Sequence, residues 1–287
     1  MREVAGKVAV ITGGASGIGR GIAEAFAAAG MKLVLADVDE QRVIETARAL
    51  EKSGAEVLPV RTDVSKQVEV DSLARRALDS FGAVHVVCNN AGVAHGGVPT
   101  WESTLHDWEW LVGVNLMGVV HGVRTFTPIL LEEGEGHIVN TASMAGLITG
   151  GGNALYGVTK HAVVALSEAL FNELAATRAD VGVSVLCPGW INTEILRSSE
   201  RNQPDAVRRH RAAQVRITPE GEIRRKQVES LLASGLSPRQ VGELVLAAIR
   251  ERRFWILTHP EWKGAIRHRL ENVLEERDPT PAAPQRR

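Results

Sequence analysis

Cysteine and tyrosine are nearly absent from this 287-residue chain, with two of the first and one of the second. Cys88 and Cys187 each sit in an apolar run (VHVVCNN and VSVLCPG) that reads as a buried strand, where a thiol behaves as a small hydrophobe. A disulfide framework is therefore not expected. Net charge is missing too: 33 Lys and Arg face 34 Asp and Glu, so no global field recruits nucleic acid or an anionic membrane. No window approaches the ~18 uninterrupted apolar residues of a membrane span, and the apolar stretch near the N-terminus is too short for a signal-peptide core. These absences point to a soluble, cytoplasmic protein. The nine histidines form no HExxH pair and do not cluster with the cysteines, which argues against a metal site. Ser143 lies in TASMAG, not in the GxSxG of a hydrolase nucleophile elbow.

What is present is ordinary core material, 44% hydrophobic, arranged in a regular rhythm. Short β-branched runs recur at 7–11 (KVAVI), 32–36, 56–60, 84–88, 137–141, 182–187 and 254–257, each reading as a doubly buried strand. Amphipathic stretches such as GIGRGIAEAFAAAG and DEQRVIETARALEKSG lie between most of them. Strand alternating with helix implies right-handed βαβ units and a parallel sheet. The expected fold is thus α/β, one doubly wound Rossmann-type domain over 1–275 with a sheet of about seven strands. Residues 193–235 break the rhythm and read as a helical insertion, a pair of helices, placed as a substrate lid before the last strand. Between Arg197 and Glu229 this insertion carries nine basic and five acidic residues. The final stretch, 276–287, is proline-rich without apolar periodicity and is expected to be a disordered tail.

The first strand runs directly into Thr12-Gly13-Gly14-Ala15-Ser16-Gly17-Ile18-Gly19, and a helix pattern opens at once. Glycines there allow a tight turn and let a pyrophosphate approach amides at a positive helix end. No Lys-Ser/Thr pair follows, which disfavours a triphosphatase P-loop. Eighteen residues beyond Gly19 the second strand ends in Asp37, where a carboxylate can accept hydrogen bonds from an adenosine ribose. A 2′-phosphate would meet like charge, and no arginine or lysine stands at Ser16 or Val38 to offset it, so NAD is expected over NADP. The alternative for Asp37 is a helix N-cap.

The sole tyrosine, Tyr156, stands four residues before Lys160, on one helix face. A neighbouring ammonium can pull a phenol from ~10 towards neutrality, which would suit Tyr156 to general acid/base work; ordinary packing is the alternative. Ser143 follows the fifth strand and can hold a substrate oxygen against the phenol. Asn115, inside an apolar helix, must be satisfied by a backbone group or a water. The Asn89–Gly92 turn follows the fourth strand, where open α/β sheets bind ligands.

Together these residues resemble the single-domain short-chain dehydrogenases/reductases: TGGASGIG at 12–19, Asp37, Asp63-Val64, NNAG at 89–92, Asn115, Ser143, YGVTK at 156–160, and Pro188-Gly189 with Thr193. The resemblance implies a catalytic tetrad of Asn115, Ser143, Tyr156 and Lys160. In it Tyr156 exchanges the hydroxyl proton while hydride passes to or from nicotinamide, and Ser143 holds the substrate oxygen. Lys160 binds the nicotinamide ribose and lowers the tyrosine pKa, while Asn115 positions a relay water. By the same carry-over the cofactor set comprises Gly13, Ser16, Gly17, Ile18 and Gly19 at the phosphates and Asp37 at the ribose. Asp63 and Val64 flank adenine, and Asn90, Ala91, Gly92 and Thr141 line the cleft with Tyr156 and Lys160. Pro188, Gly189, Ile191 and Thr193 complete it. A homodimer or homotetramer is implied, although RRFWILTHPEW at the last strand departs from the glycine-rich ending of many members.

On that geometry the substrate pocket would contain Ser143, Val93, Ala94, His95, Ala145 to Leu147, Asn153 and Trp190. Most of these are apolar, which suggests a hydrophobic secondary alcohol or its ketone. The alternatives are a reductase of carrier- or CoA-bound carbonyls held through Arg208, Arg209 and Arg211, and a non-catalytic NAD(H)-sensing module.

Overall fold

Val8, Ala9, Val10, Ile11 and Thr12 form strand β1, and every one of them is buried, because both faces of the sheet are covered by helices. The computed structural model describes residues 1–94, 99–150, 154–177, 179–214 and 219–280. From β1 the chain alternates as expected: α1 (Gly17–Ala28), β2 (Lys32–Asp37), α2 (Glu40–Glu51), β3 (Val57–Arg61), α3 (Gln67–Phe81) and β4 (Val86–Asn89). It continues with α4 (Leu105–Leu111), a π-helical turn at Val112–Met117, α5 (Gly118–Glu133), β5 (Glu135–Thr141), α6 (Ala154–Ala175) and β6 (Asp180–Cys187).

Seven parallel strands stand in the order β3-β2-β1-β4-β5-β6-β7, with β7 at Trp255–Leu257. The chain leaves β1 towards β3 and later restarts at β4 on the other side, so the crevice at the carboxyl ends of β1 and β4 is the topological switch point. Pro59 lies in β3, the edge strand, where its missing N–H interrupts no inner ladder. Successive residues of β1 and β2 serve opposite layers. Ile11, Leu33 and Leu35 pack with Ile22 and Phe26 of α1 on one face, while Val10 and Val34 pack with Leu73 of α3 and Phe126 of α5 on the other.

After β6 the described residues of the insertion form three helices, not the expected pair: α7 (Ile195–Arg201), α8 (Asp205–Gln214) and α9 (Pro219–Ala233). Asn202, Gln203 and Pro204 break what composition alone reads as one helix. The two ends of the excursion are tied together, since the Asn192 amide donates to Leu236 O at 2.9 Å and the Leu236 amide to Trp190 O at 3.1 Å. Helix α10 (Pro238–Glu251) then carries the chain to β7, and α11 (Lys263–Leu274) ends the regular structure. Of the stretch expected to form the tail, Thr280 Oγ1 accepts a hydrogen bond from Asn272 Nδ2 at 3.2 Å and lies 2.8 Å from His268 Nε2, and 281–287 lie outside the described residues.

Leu105–Glu133 forms one continuous helical stretch of 29 residues containing an 18-residue window of mean hydropathy 1.2, long and apolar enough by length and composition to cross a membrane. Counting uninterrupted apolar residues does not flag it. Its apolar side chains have a packing role: Leu111, Val119, Phe126 and Leu130 are buried in the three clusters that surround the sheet.

Candidate active site

The β1–α1 turn takes its shape from glycines with positive φ, Gly13 at 66° and Gly17 at 51°, a region that side chains disfavour. Gly19 serves close approach: a Cβ there would lie 2.1 Å from Gly13 O. It packs the helix against the loop and does not line the cleft, whereas Gly13, Ser16, Gly17 and Ile18 do. Ser16 caps α1 in position only, with no side-chain hydrogen bond, and no acid stands in the first turn. The positive helix end is thereby left for an anion. The Asn90 amide fixes the loop from the neighbouring strand, donating from Nδ2 to Thr12 O at 2.9 Å, while Thr12 Oγ1 accepts the backbone N–H groups of Asn90 and Ala91.

Asp37 closes β2 and faces the same cleft. It is not the cap of α2; that role belongs to Asp39, which accepts the Arg42 amide at 3.1 Å. Asp37 accepts the amides of Ala15 and Asp39, each at 3.1 Å. Burial raises its pKa, and the two backbone N–H donors oppose that rise. Asp63 and Val64 also line the cleft, but the Asp63 carboxylate is spent on Ser65, accepting its amide at 3.0 Å and its hydroxyl at 2.7 Å.

The first turns of α6 and the segment after β5 bring Tyr156, Lys160 and Ser143 to one wall with Thr141, Ala91 and Gly92. Ser143 Oγ accepts the Ala145 amide at 3.1 Å and donates to Pro188 O at 3.4 Å. Lys160 is 3% exposed; its ammonium donates to Thr141 O at 3.0 Å and lies 5.5 Å from the centre of the Tyr156 ring. Burial pulls its pKa down to about 8. The expected drop in the tyrosine pKa is not met in the chain by itself. Burial raises the Tyr156 pKa, the neighbouring Ser143 hydroxyl acts in the opposite direction, and Lys160 does not counter the rise. The physical reason is that the ammonium is itself desolvated and turned to a carbonyl.

Asn115 is fully buried in the π-helical turn and does not line the cleft. Its amide closes a ring with Val93, accepting the Val93 N–H at 2.8 Å and donating to Val93 O at 2.9 Å, with Thr159 Oγ1 at 3.4 Å. It thus holds the strand-end backbone beside Lys160. Pro188, Gly189, Ile191 and Thr193 also line the cleft.

All of this surrounds one cleft of about 2130 Å³. Of the expected substrate contacts, Val93, Ala94, Ser143, Ala145 and Trp190 line it. Leu147 does not: it packs on the Val163–Val164 cluster beneath, because the 3₁₀ turn Met144–Gly146 rotates it inward and presents Ile148 instead. His95 and Asn153 lie outside the described residues. Sequence reasoning missed Trp110 of α4 and, on the C-terminal side, Trp262 and Arg269. The aromatic-rich FWILTHPEW was the available signal. The insertion does border the cleft, through Leu196, Val207, Val228 and Leu232 among others. Arg208 does not; its guanidinium donates to Gln203 O at 3.2 Å, and Arg225 in the wall is paired with Glu200 and Glu229 at 3.0 and 3.1 Å.

The family model for short chain dehydrogenases matches residues 7–204. Over 97% of both chains, this protein is 33% identical to a CLA biosynthesis dehydrogenase/reductase of Lactiplantibacillus plantarum. It is 37% identical to 3beta-hydroxysteroid dehydrogenase 2 of Eggerthella lenta over 76% of this chain and 85% of the relative. A crystal structure of a short chain dehydrogenase/reductase from Burkholderia phymatum in complex with NAD superposes with a TM-score of 0.92 at 47% identity, covering 99% of each chain. The chain belongs to the short-chain dehydrogenase/reductase family and is an oxidoreductase of that family.

Proposed function

We propose that this chain moves hydride between NAD(H) and a hydrophobic secondary alcohol or ketone, with Tyr156 as general acid/base. The observation that carries the reading is the convergence of Tyr156, Ser143 and Lys160 on the cleft that also holds the glycine loop and Asp37. The loop fits a dinucleotide: its uncapped helix end faces the cleft, and Asp37 stands where a ribose would lie and a 2′-phosphate would be repelled. The NAD complex of the Burkholderia phymatum relative supports the cofactor, and the Eggerthella lenta relative, a hydroxysteroid dehydrogenase, supports an apolar substrate.

In oxidation the carbinol carbon gives up hydride and its hydroxyl gives up a proton, leaving a C=O bond. Bound NAD⁺ supplies the hydride acceptor and a positive charge that favours the phenolate. Ser143 holds the substrate oxygen, and Tyr156 takes the proton. Lys160, whose ammonium lies 5.5 Å from the centre of the Tyr156 ring, would hold the ribose side of the cofactor. Asn115 keeps Val93, and with it the wall beside Lys160, in place. We further expect a homodimer or homotetramer, as the family resemblance implies. A sensing module would not require the converged Tyr156 and Lys160.

The test is NADH formation from NAD⁺ and NADPH formation from NADP⁺ over a panel of apolar and polar secondary alcohols, with Tyr156→Phe as control. Turnover of apolar alcohols with NAD⁺ that vanishes in the variant is expected. Activity confined to polar sugars would overturn the substrate class, and NADH binding without any turnover in either direction would favour the sensor.

A further inference from the structure

Helix α11 docks beside the catalytic wall through its first turns. Trp262, immediately before it, and Ile266 pack against the cluster containing Met144, Val163 and Val164. Trp262 also meets Trp190 edge to face, with ring centres 6.4 Å apart and planes at 64°. Arg269 stands seven residues beyond Trp262, two helical turns, so it shares that face about 10 Å further along the axis. Both Trp262 and Arg269 belong to the wall of the cleft that contains Ser143 and Tyr156.

Arg269 is partly buried as a residue, and its guanidinium has no hydrogen bond or ion pair with any described residue. The other guanidinium in the wall, on Arg225, is already held by Glu200 and Glu229. Lys160 is held by Thr141 O. An unpaired guanidinium in the wall of a cleft is available to an anion, and its planar fork matches a carboxylate with two parallel hydrogen bonds. The same cleft is lined by aromatic and aliphatic side chains, among them Trp190, Trp262, Ile148 and Leu196.

We propose that Arg269 is a specificity-determining residue that receives the carboxylate of an apolar hydroxy or oxo acid. The substrate class is then an amphiphilic acid with its reacting carbon well away from the carboxylate. This rests on the proposed reading of the cleft as a dehydrogenase site. The free carboxylate of Glu222 on α9 borders the same cleft, and pairing of Arg269 with it is the competing explanation.

The test uses the full chain saturated with NADH and titrates decanoate, methyl decanoate and 1-decanol, followed by NADH fluorescence. Decanoate should bind about 10-fold or more tightly than the two neutral compounds. That preference should collapse in Arg269→Met, return in part in Arg269→Lys, and survive in Glu222→Gln. Equal binding of acid and neutral probes to the native chain would overturn the proposal, as would an Arg269→Met change that weakens all three alike. The parallel turnover arm compares secondary hydroxy acids with their methyl esters under NAD⁺. Absence of turnover for both, with the decanoate preference intact, would overturn the dehydrogenase reading and leave the carboxylate site standing.

Discussion

Thr258 Oγ1 accepts the backbone N–H of Gly189 at 3.0 Å, joining the segment after the last strand to the loop after β6. The same oxygen lies within hydrogen-bond distance of His259 Nδ1, at 2.7 Å. A Cβ at Gly189 would come within 2.6 Å of His259 Nδ1, so the loop has been allowed to close onto the C-terminal segment only because residue 189 is glycine. Thr258→Val keeps the shape and removes the acceptor, leaving a Gly189 amide unpaired at a cost of about 1–3 kcal/mol. We expect a lower thermal midpoint and a raised KM for NAD⁺ with a smaller change in kcat. An unchanged KM for NAD⁺ would mean that the loop does not depend on this bond.

Tyr156 and Lys160 set the pH dependence. Alcohol oxidation needs the phenol ionised, and burial raises the Tyr156 pKa, so kcat/KM for oxidation should climb with pH, tenfold per unit, until that pKa is reached. Ketone reduction needs the protonated phenol and should be flat over the same range and fall above it. Lys160 carries its charge below about pH 8 and loses it above. If that charge favours the phenolate, Lys160→Met moves the rising limb to higher pH. A limb at the same pH in both proteins would confine Lys160 to holding the ribose. Tyr156→Phe should lower kcat by roughly 10²–10⁴-fold while NADH still binds.

At Asp37 the prediction concerns cofactor choice. Its carboxylate faces the cleft while accepting the amides of Ala15 and Asp39. Asp37→Asn removes the charge and retains one acceptor oxygen, so the loop loses less than it would with alanine. The ratio of kcat/KM for NADP⁺ over NAD⁺ should rise by about tenfold or more, because like-charge repulsion at close range is worth a few kcal/mol. A ratio that stays put would show that shape, not charge, excludes the 2′-phosphate.

What could be read from residues alone was whatever depends on near neighbours in sequence. The seven strands follow from β-branched runs, and the glycine loop follows from a strand, a turn and a helix within twenty residues. Ambiguities such as Asp37 against a cap yielded only to geometry, since Asp39 two residues later is an equally good cap by composition. Leu147 and Ile148 are adjacent apolar residues, and which of them meets the cleft is decided by the 3₁₀ turn at Met144–Gly146. Trp262 and Arg269 were illegible for a different reason. Their place in the cleft depends on α11 docking against α6 and the loop after β6, a contact between segments about a hundred residues apart that no local pattern encodes.

The last prediction concerns stability in acid and rests on His137, a fully buried residue of β5. Ser184 Oγ donates to Arg253 O at 2.7 Å, so at 2.8 Å it accepts from His137 Nε2, and the proton of the ring sits there. His137 Nδ1 is then a bare acceptor, buried and without a hydrogen-bond partner. Burial pushes the folded pKa down to about 3, against ~6.5 in an unfolded chain. Between those values the unfolded chain binds a proton that the folded one refuses. The stabilisation is therefore complete above pH 6.5 and is lost as pH falls towards 3, at about 1.4 kcal/mol per unit. Urea unfolding at pH 7, 6, 5 and 4 should show this decline in the native chain and a shallower one in His137→Leu, whose Ser184 hydroxyl keeps its bond to Arg253. Carboxylates contribute to acid sensitivity in both proteins, so the difference between the two slopes isolates His137. Identical slopes would mean that a proton reaches the folded imidazole more easily than its burial implies.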